Sequence, residues 1–287
     1  MTTPVVGGPT VRRIVVGAQL RRLREARGIS REDAGYRIRG SESKISRMEL
    51  GRVSFKERDI ADLLTLYGVV DDDQRRTLLG LAREANNPGW WHNYDDVLAG
   101  WFQTYVGLEE ATSLIRTYEI QFVPGLLQTA DYARAIVAAG QPTASVSEVE
   151  RRVALRMARQ QLLDRSDAPV FWAVVDEATL RRPVGGRKVM QAQIQHLIDM
   201  MNKPNVTIQI MPFRFGAHAA EGGAFSILRF PEEDLPEVVY VEQLGSALYL
   251  DKREHVERYA QTMDRLTVDG LPPDSSAEML DRILHRV

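Results

Sequence analysis

Residues 41–52 read Ser-Glu-Ser-Lys-Ile-Ser-Arg-Met-Glu-Leu-Gly-Arg and hold the side chains best suited to chemistry with a polyanion. Arg47 carries a planar fork of donors that matches O6 and N7 of a guanine. Glu42 only accepts: it can take a hydrogen bond from a cytosine amine, and it repels nearby phosphates. Lys44, Arg52 and, just upstream, Arg39 suit phosphate contacts, whose strength falls with salt. Glu49 sits among them as a structural residue, to be paired with an arginine of the first helix.

Other chemistry is thinner. His92, His196, His218, His255 and His285 show no metal-ligand spacing, and there is no cysteine, so no metal or other cofactor is expected. Asp176-Glu177 could be a carboxylate pair for acid–base work, but a cap on the following helix is the plainer reading. Gly216–Gly223, with His218 and Glu221, reads as a hairpin connection, with a ligand lid as the sharper alternative. Gly185-Gly186-Arg187-Lys188 is a weak anion-site signal. No P-loop, dinucleotide fingerprint or nucleophile elbow is present, and the chain is not expected to be an enzyme.

The elements that must position residues 41–52 are legible around them. A helix is predicted over Val15–Ala26, with Leu20 and Leu23 on one face and Gly28 as its left-handed cap. Ser30, with Asp33, caps a second helix ending near Arg39-Gly40, where Gly40 supplies the turn. Ala34 is small enough for the next helix to approach. Ser41 caps a third helix that turns Ile45 and Met48 inward, and Gly51 closes it. Further helices are expected over Lys56–Tyr67 and Asp71–Glu84. Residues 1–11 lack periodicity and read as a disordered tail.

The net charge of −2 hides an asymmetry. Residues 1–68 carry 14 Lys and Arg against 8 Asp and Glu, a net of +6, which leaves −8 for the rest. A basic module on an acidic body suits a polyanion at one end only.

This is the pattern of a helix-turn-helix DNA reader. Residues 17–68 resemble the Cro/repressor-type (XRE-like) family through Leu20, Leu23, Arg24, Gly28, Ser30, Ala34, Ile45, Ser46, Arg47, Glu49 and Gly51. The resemblance implies that the helix over 41–50 enters the major groove of double-stranded DNA. Glu42, Ser43 and Arg47 would then face base edges, and Lys44, Ser46 and Arg52 the backbone, with Arg39 and Ser41 beside them. Arg31 stands where that family usually has Gln, so a reach toward phosphate replaces the usual Gln hydrogen bonding.

Asn86-Asn87-Pro88-Gly89 is a strong break. Six of the chain's 21 Phe, Trp and Tyr residues then fall between Trp90 and Tyr105. Packing is the first reading of this segment, over 86–105; a ligand box or a protein interface are its rivals. Trp90, Trp91, Tyr94 and Trp101, with Glu177 and His218, are the ligand or partner candidates. Beyond it, helices are predicted over Val106–Tyr118, from Thr129 to Ala139, and over Val146–Leu163. Arg151, Arg152, Arg156, Arg159 and Arg165 read as a solvated face paired with acids rather than an extension of the DNA footprint. Strands are predicted over Val170–Val175, Val206–Met211, Ala224–Phe230, Glu237–Glu242 and Ser246–Leu250, a loop over Leu180–Arg187, and helices over Lys188–Met201, Arg253–Leu266 and Ser275–Leu284. The expected fold is therefore multidomain: an all-α helix-turn-helix bundle (12–85), then an α+β, mixed α/β domain (106–287).

Tyr118–Ala133, Asp176–Arg182 and Gly222–Ser226 resemble the C-terminal domain of WhiJ-like regulators, helix-turn-helix proteins of filamentous, spore-forming bacteria. That resemblance implies a transcription factor with a small partner protein in an antitoxin-like pairing. The expectation is a cytoplasmic homodimer on an operator, with no apolar run long enough for a membrane span. Residues 106–287 would dimerise and receive the partner. A small-molecule sensor is the alternative, and an enzyme fused to the DNA reader is the reading of another class.

Overall fold

The computed structural model describes residues 9–87, 89–231 and 235–285. The expected disordered tail falls outside these residues up to position 8, as does Pro88 of the predicted break. The chain forms two compact units: Met1–Asn93 with Gln103–Ala111 and Glu232–Leu235, and Tyr94–Phe102 with Thr112–Pro231 and Pro236–Val287.

The first unit is built from α1 (Pro9–Ala26), α2 (Arg31–Arg37), α3 (Glu42–Glu49), α4 (Glu57–Leu66) and α5 (Asp72–Glu84). Hydroxyl and carboxylate caps start three of them: Ser30 accepts from the Asp33 amide at 3.0 Å, Ser41 from Lys44 at 3.2 Å and Asp71 from Gln74 at 2.6 Å. Apolar stripes of all five helices meet in one core that includes Val16, Leu20, Ala34, Ile45, Met48, Ile60, Leu64 and Leu78. Two expectations need correction. Helix α1 begins at Pro9 rather than Val15, because Ile14 and Val16 continue its buried stripe. The turn between α2 and α3 takes its left-handed residue at Arg39, φ 53°, not at Gly40. A Cβ in that region costs about 1–2 kcal/mol, so the turn carries strain.

The second unit is an α+β fold around a six-stranded mixed sheet in the order β3-β2-β1-β4-β5-β6. The strands are β1 (Leu114–Glu119), β2 (Val170–Asp176), β3 (Val206–Met211), β4 (Phe225–Arg229), β5 (Val238–Glu242) and β6 (Ala247–Leu250). Strands β1, β2 and β3 run parallel; β4 is antiparallel to β1 and begins an antiparallel β4-β5-β6 meander. Its helices are α7 (Ala130–Gly140), α8 (Val146–Gln160), α9 (Glu177–Arg181), α10 (Arg187–Met200), α11 (Arg253–Asp269) and α12 (Pro273–Leu284). Helix α11 packs on the face that carries Tyr118, Val174, Met211, Ile227 and Val239, through Met263 and Leu266. By strand alternation Ile115, Thr117 and Glu119 take the opposite face.

The predicted helix over Val106–Tyr118 is overturned. Helix α6 (Gly100–Glu109) ends early, and the following residues form β1, the strand shared by the parallel and antiparallel halves. Leu108, Ala111, Leu114 and Ile115 do fit a helical stripe. A strand covered on both faces has no clean alternation to oppose that reading, and pairing with β2 and β4 decides the outcome. Helix α8 stops at Gln160, short of the expected Leu163, and gains an unforeseen Ser145–Glu148 capping box. The predicted loop over Leu180–Arg187 starts as the end of α9. Among the described residues no helix is long and apolar enough to cross a membrane.

Candidate DNA interface

Two glycines bring α3 into place. A Cβ on Gly17 of α1 would sit 2.5 Å from the Met48 carbonyl oxygen and 2.6 Å from that of Glu49. A Cβ on Gly35 of α2 would lie 2.9 Å from the Ser41 carbonyl carbon. Helix α3 is thus seated by backbone approach on both neighbours. Ala34 is buried as expected, but Gly35 makes the close approach.

With Ile45 and Met48 turned into the core, α3 leaves Glu42, Ser43 and Arg47 exposed. Arg47 Nε donates to the Ser43 carbonyl at 3.3 Å, a weak bond that leaves its fork available to bases. Ser41 uses its hydroxyl as the cap, and Ser46 is partly covered. Arg39 and Arg52 flank the helix as exposed residues. Tyr36 of α2 is 87% exposed and adds an aromatic face that the sequence does not distinguish from a core ring.

Two predicted phosphate contacts have partners within the chain. Lys44 Nζ lies 2.5 Å from Asp59 Oδ2, and the Asp59 side chain is buried under α3 and α4. Arg31 Nε donates to Glu49 Oε2 at 2.9 Å, while Arg24 Nε lies 2.5 Å from Glu49 Oε1. Glu49, 4% exposed, is therefore held between α1 and α2, as its predicted pairing with an upstream arginine requires. Hydrogen bonding to Glu49 also holds the Arg24 guanidinium above its ordinary range. These charges fix the angle of α3 rather than face outward.

Of the ligand or partner candidates, Trp90 and Trp91 lie in the first unit and Tyr94, Trp101, Glu177 and His218 in the second, where His218 Nε2 is 4.0 Å from Asp176 Oδ2. Trp91 is buried, and Trp90 Nε1 donates to Glu110 at 3.0 Å. In the second unit, Arg151 lies 5.2 Å over the Tyr94 ring, and the Trp101 carbonyl accepts from the Tyr249 hydroxyl at 2.6 Å. Asp176 caps α9 by accepting from the Ala178 amide at 2.8 Å. Glu177 accepts from Arg181 at 2.5 Å and from the Phe213 amide at 2.8 Å. The plainer, capping reading of Asp176 fits this geometry, and Glu177 is spent on positioning. His218 Nδ1 accepts from the Ala220 amide at 3.3 Å, which leaves the proton of the neutral ring on Nε2, 2.9 Å from the Tyr118 hydroxyl.

The arginines of α8 depart from the predicted solvated face. Arg151, bridged to Asp96, fits it, and Arg165 beyond the helix is exposed. Arg159 is buried, and Arg152 and Arg156 line a cavity. Positions 152, 156 and 159 share one helical face, and that face points into the unit.

A compact bundle whose third helix is seated on two glycines and presents polar readers is a DNA-binding helix-turn-helix module, and a family model described as a helix-turn-helix domain matches residues 15–78. The chain belongs to the family described as a domain of unknown function (DUF5753), whose model matches residues 102–282. No curated protein and no solved structure matches the chain.

Proposed function

We propose that this chain is a sequence-specific transcriptional regulator that reads the major groove with α3 and is controlled through its second unit by a small partner protein. The observation that carries the reading is the exposed trio Glu42, Ser43 and Arg47 on a helix whose opposite face is locked by Gly17, Gly35 and the Arg24–Glu49–Arg31 cluster. One such module covers few base pairs, so the protein works as a homodimer on half-sites one helical turn apart, in the cytoplasm. The partner is supported by the resemblance to WhiJ-like regulators and their antitoxin-like pairing. Partner binding shifts operator occupancy only by binding the DNA-competent and incompetent states with different affinity. The proposal contains no catalytic step: Asp176 and Glu177 are both engaged in capping and positioning.

The test is selection of duplexes from a random pool by the full chain, followed by mass spectrometry of proteins retained with it from its own cells. Enrichment of paired half-sites about one turn apart supports the reading. A pool that stays random overturns α3 as a reader. A second reading, a small-molecule sensor, is favoured by the arginine-lined cavity.

A further inference from the structure

Within the second unit lies a cavity of about 610 Å³, in the size range of small-molecule sites. Leu98, Trp101, Phe102 and Val137 contribute its apolar wall, and Arg152 and Arg156, one turn apart on α8, its cationic wall. Arg159 follows on the same face, its guanidinium carbon 4.9 Å over the Phe102 ring.

The two arginines of this cavity rest on neutral hydrogen-bond acceptors. Arg152 Nη1 donates to the Val97 carbonyl at 2.6 Å, and its buried Nε has no hydrogen-bond partner. Arg156 Nη1 donates to the Gln128 side-chain oxygen, also at 2.6 Å. Those acceptors are neutral, and among the described residues neither arginine makes an ion pair within 4 Å. Two carboxylates reach the cavity. Asp96 is bridged to Arg151, and Glu242 is exposed and accepts from the Tyr240 hydroxyl. Burial, then the proximity of Arg159, pushes Arg156 down to about 10 against the pull of the Glu242 carboxylate, so it is still charged at neutral pH. A cation in a covered site is costly without a counter-charge, and a planar fork beside apolar rings selects its ligand's shape.

We propose that this cavity binds a small organic anion: a carboxylate or phosphate head on Arg152 and Arg156, with a flat apolar body against Trp101 and Phe102. A cationic ligand would be repelled by the two guanidiniums, and a neutral one would leave them on neutral acceptors. The site goes beyond the DNA-reading proposal, and its occupancy is measurable without DNA.

The probe is 8-anilinonaphthalene-1-sulfonate, a flat apolar anion, titrated into the full chain by fluorescence. Its neutral counterpart N-phenyl-1-naphthylamine measures the apolar wall alone. The sulfonate should saturate at one site per chain. Arg152→Gln and Arg156→Gln should each weaken it about 10-fold, the effect of one charged hydrogen bond, and leave the neutral probe within about 2-fold. Displacement by 1-naphthyl phosphate rather than 1-naphthaleneacetate, or the reverse, assigns the head group; displacement by neither overturns the proposal. Arg152 is only half-buried, so Arg152→Gln decides if Arg156→Gln fails to fold. Wild-type affinity in a folded Arg152→Gln, equal loss of both probes, or no saturable binding by the wild type each overturns it.

Discussion

Two clusters of covered cations, one in each unit, are held differently. In the first unit, Glu49 lies between Arg24 and Arg31, and Asp59 lies beneath Lys44. In the second, Arg152 and Arg156 face a cavity on neutral acceptors. The difference teaches that residue type does not decide whether a guanidinium is structural or recognising. Exposure and the partners that surround it bear on it as well. Arg31 and Lys44 have theirs and set the angle of a helix, whereas Arg47 stays outward for a ligand to complete.

That contrast can be broken at its strongest point by Glu49→Ala. Removing the carboxylate leaves Arg24, 7% exposed, buried without it, and should destabilise the first unit by about 3–5 kcal/mol in denaturant melts. A melt like the wild type's would show that the cluster is not holding α3. Arg47→Ala sharpens the same contrast from outside. It should leave the melt alone and weaken operator binding by roughly 1–3 kcal/mol, with relaxed preference at one base pair. Unchanged DNA affinity would mean that α3 is turned otherwise in the groove.

A third effect concerns a carboxyl in the second unit. Burial first, then the Glu242 carboxylate, pushes Glu119 up to about 8 from an ordinary 4.5. The stability from its protonated form is complete below about pH 4.5 and is lost as the pH rises through about 8. Glu119→Gln should flatten that loss; an unchanged pH profile would remove Glu119 as its source.

The legible parts of the molecule were those governed by local rules. Ser30, Ser41 and Thr129 cap helices because a hydroxyl beside a free amide does so in any fold, β2 is a mostly apolar run of strand length, and β3 alternates. The illegible parts depend on distant partners. Strand β1 resembles a helix until β2 and β4 lie beside it. Gly17 looks like an ordinary weakness in a helix until the Met48 carbonyl lies against it. At the DNA interface, exposure of Glu42, Ser43 and Arg47 follows from the inward pair Ile45 and Met48. The pairings of Arg31 and Lys44 follow from the angles between helices, which no spacing encodes. The inward arginines of α8 escaped because charge alone suggests solvent.

The order of the sheet also has a consequence for the protein as it is made. The core of the first unit's bundle closes within Val16–Ala85. Strand β1 must wait for β4, which begins at Phe225, more than a hundred residues later. At about 5–20 residues per second, that delay is roughly 5–20 s. During it, a nascent chain already carries a finished DNA-reading core and not yet its central sheet. A message cut short in that interval encodes the helix-turn-helix bundle without a completed second unit.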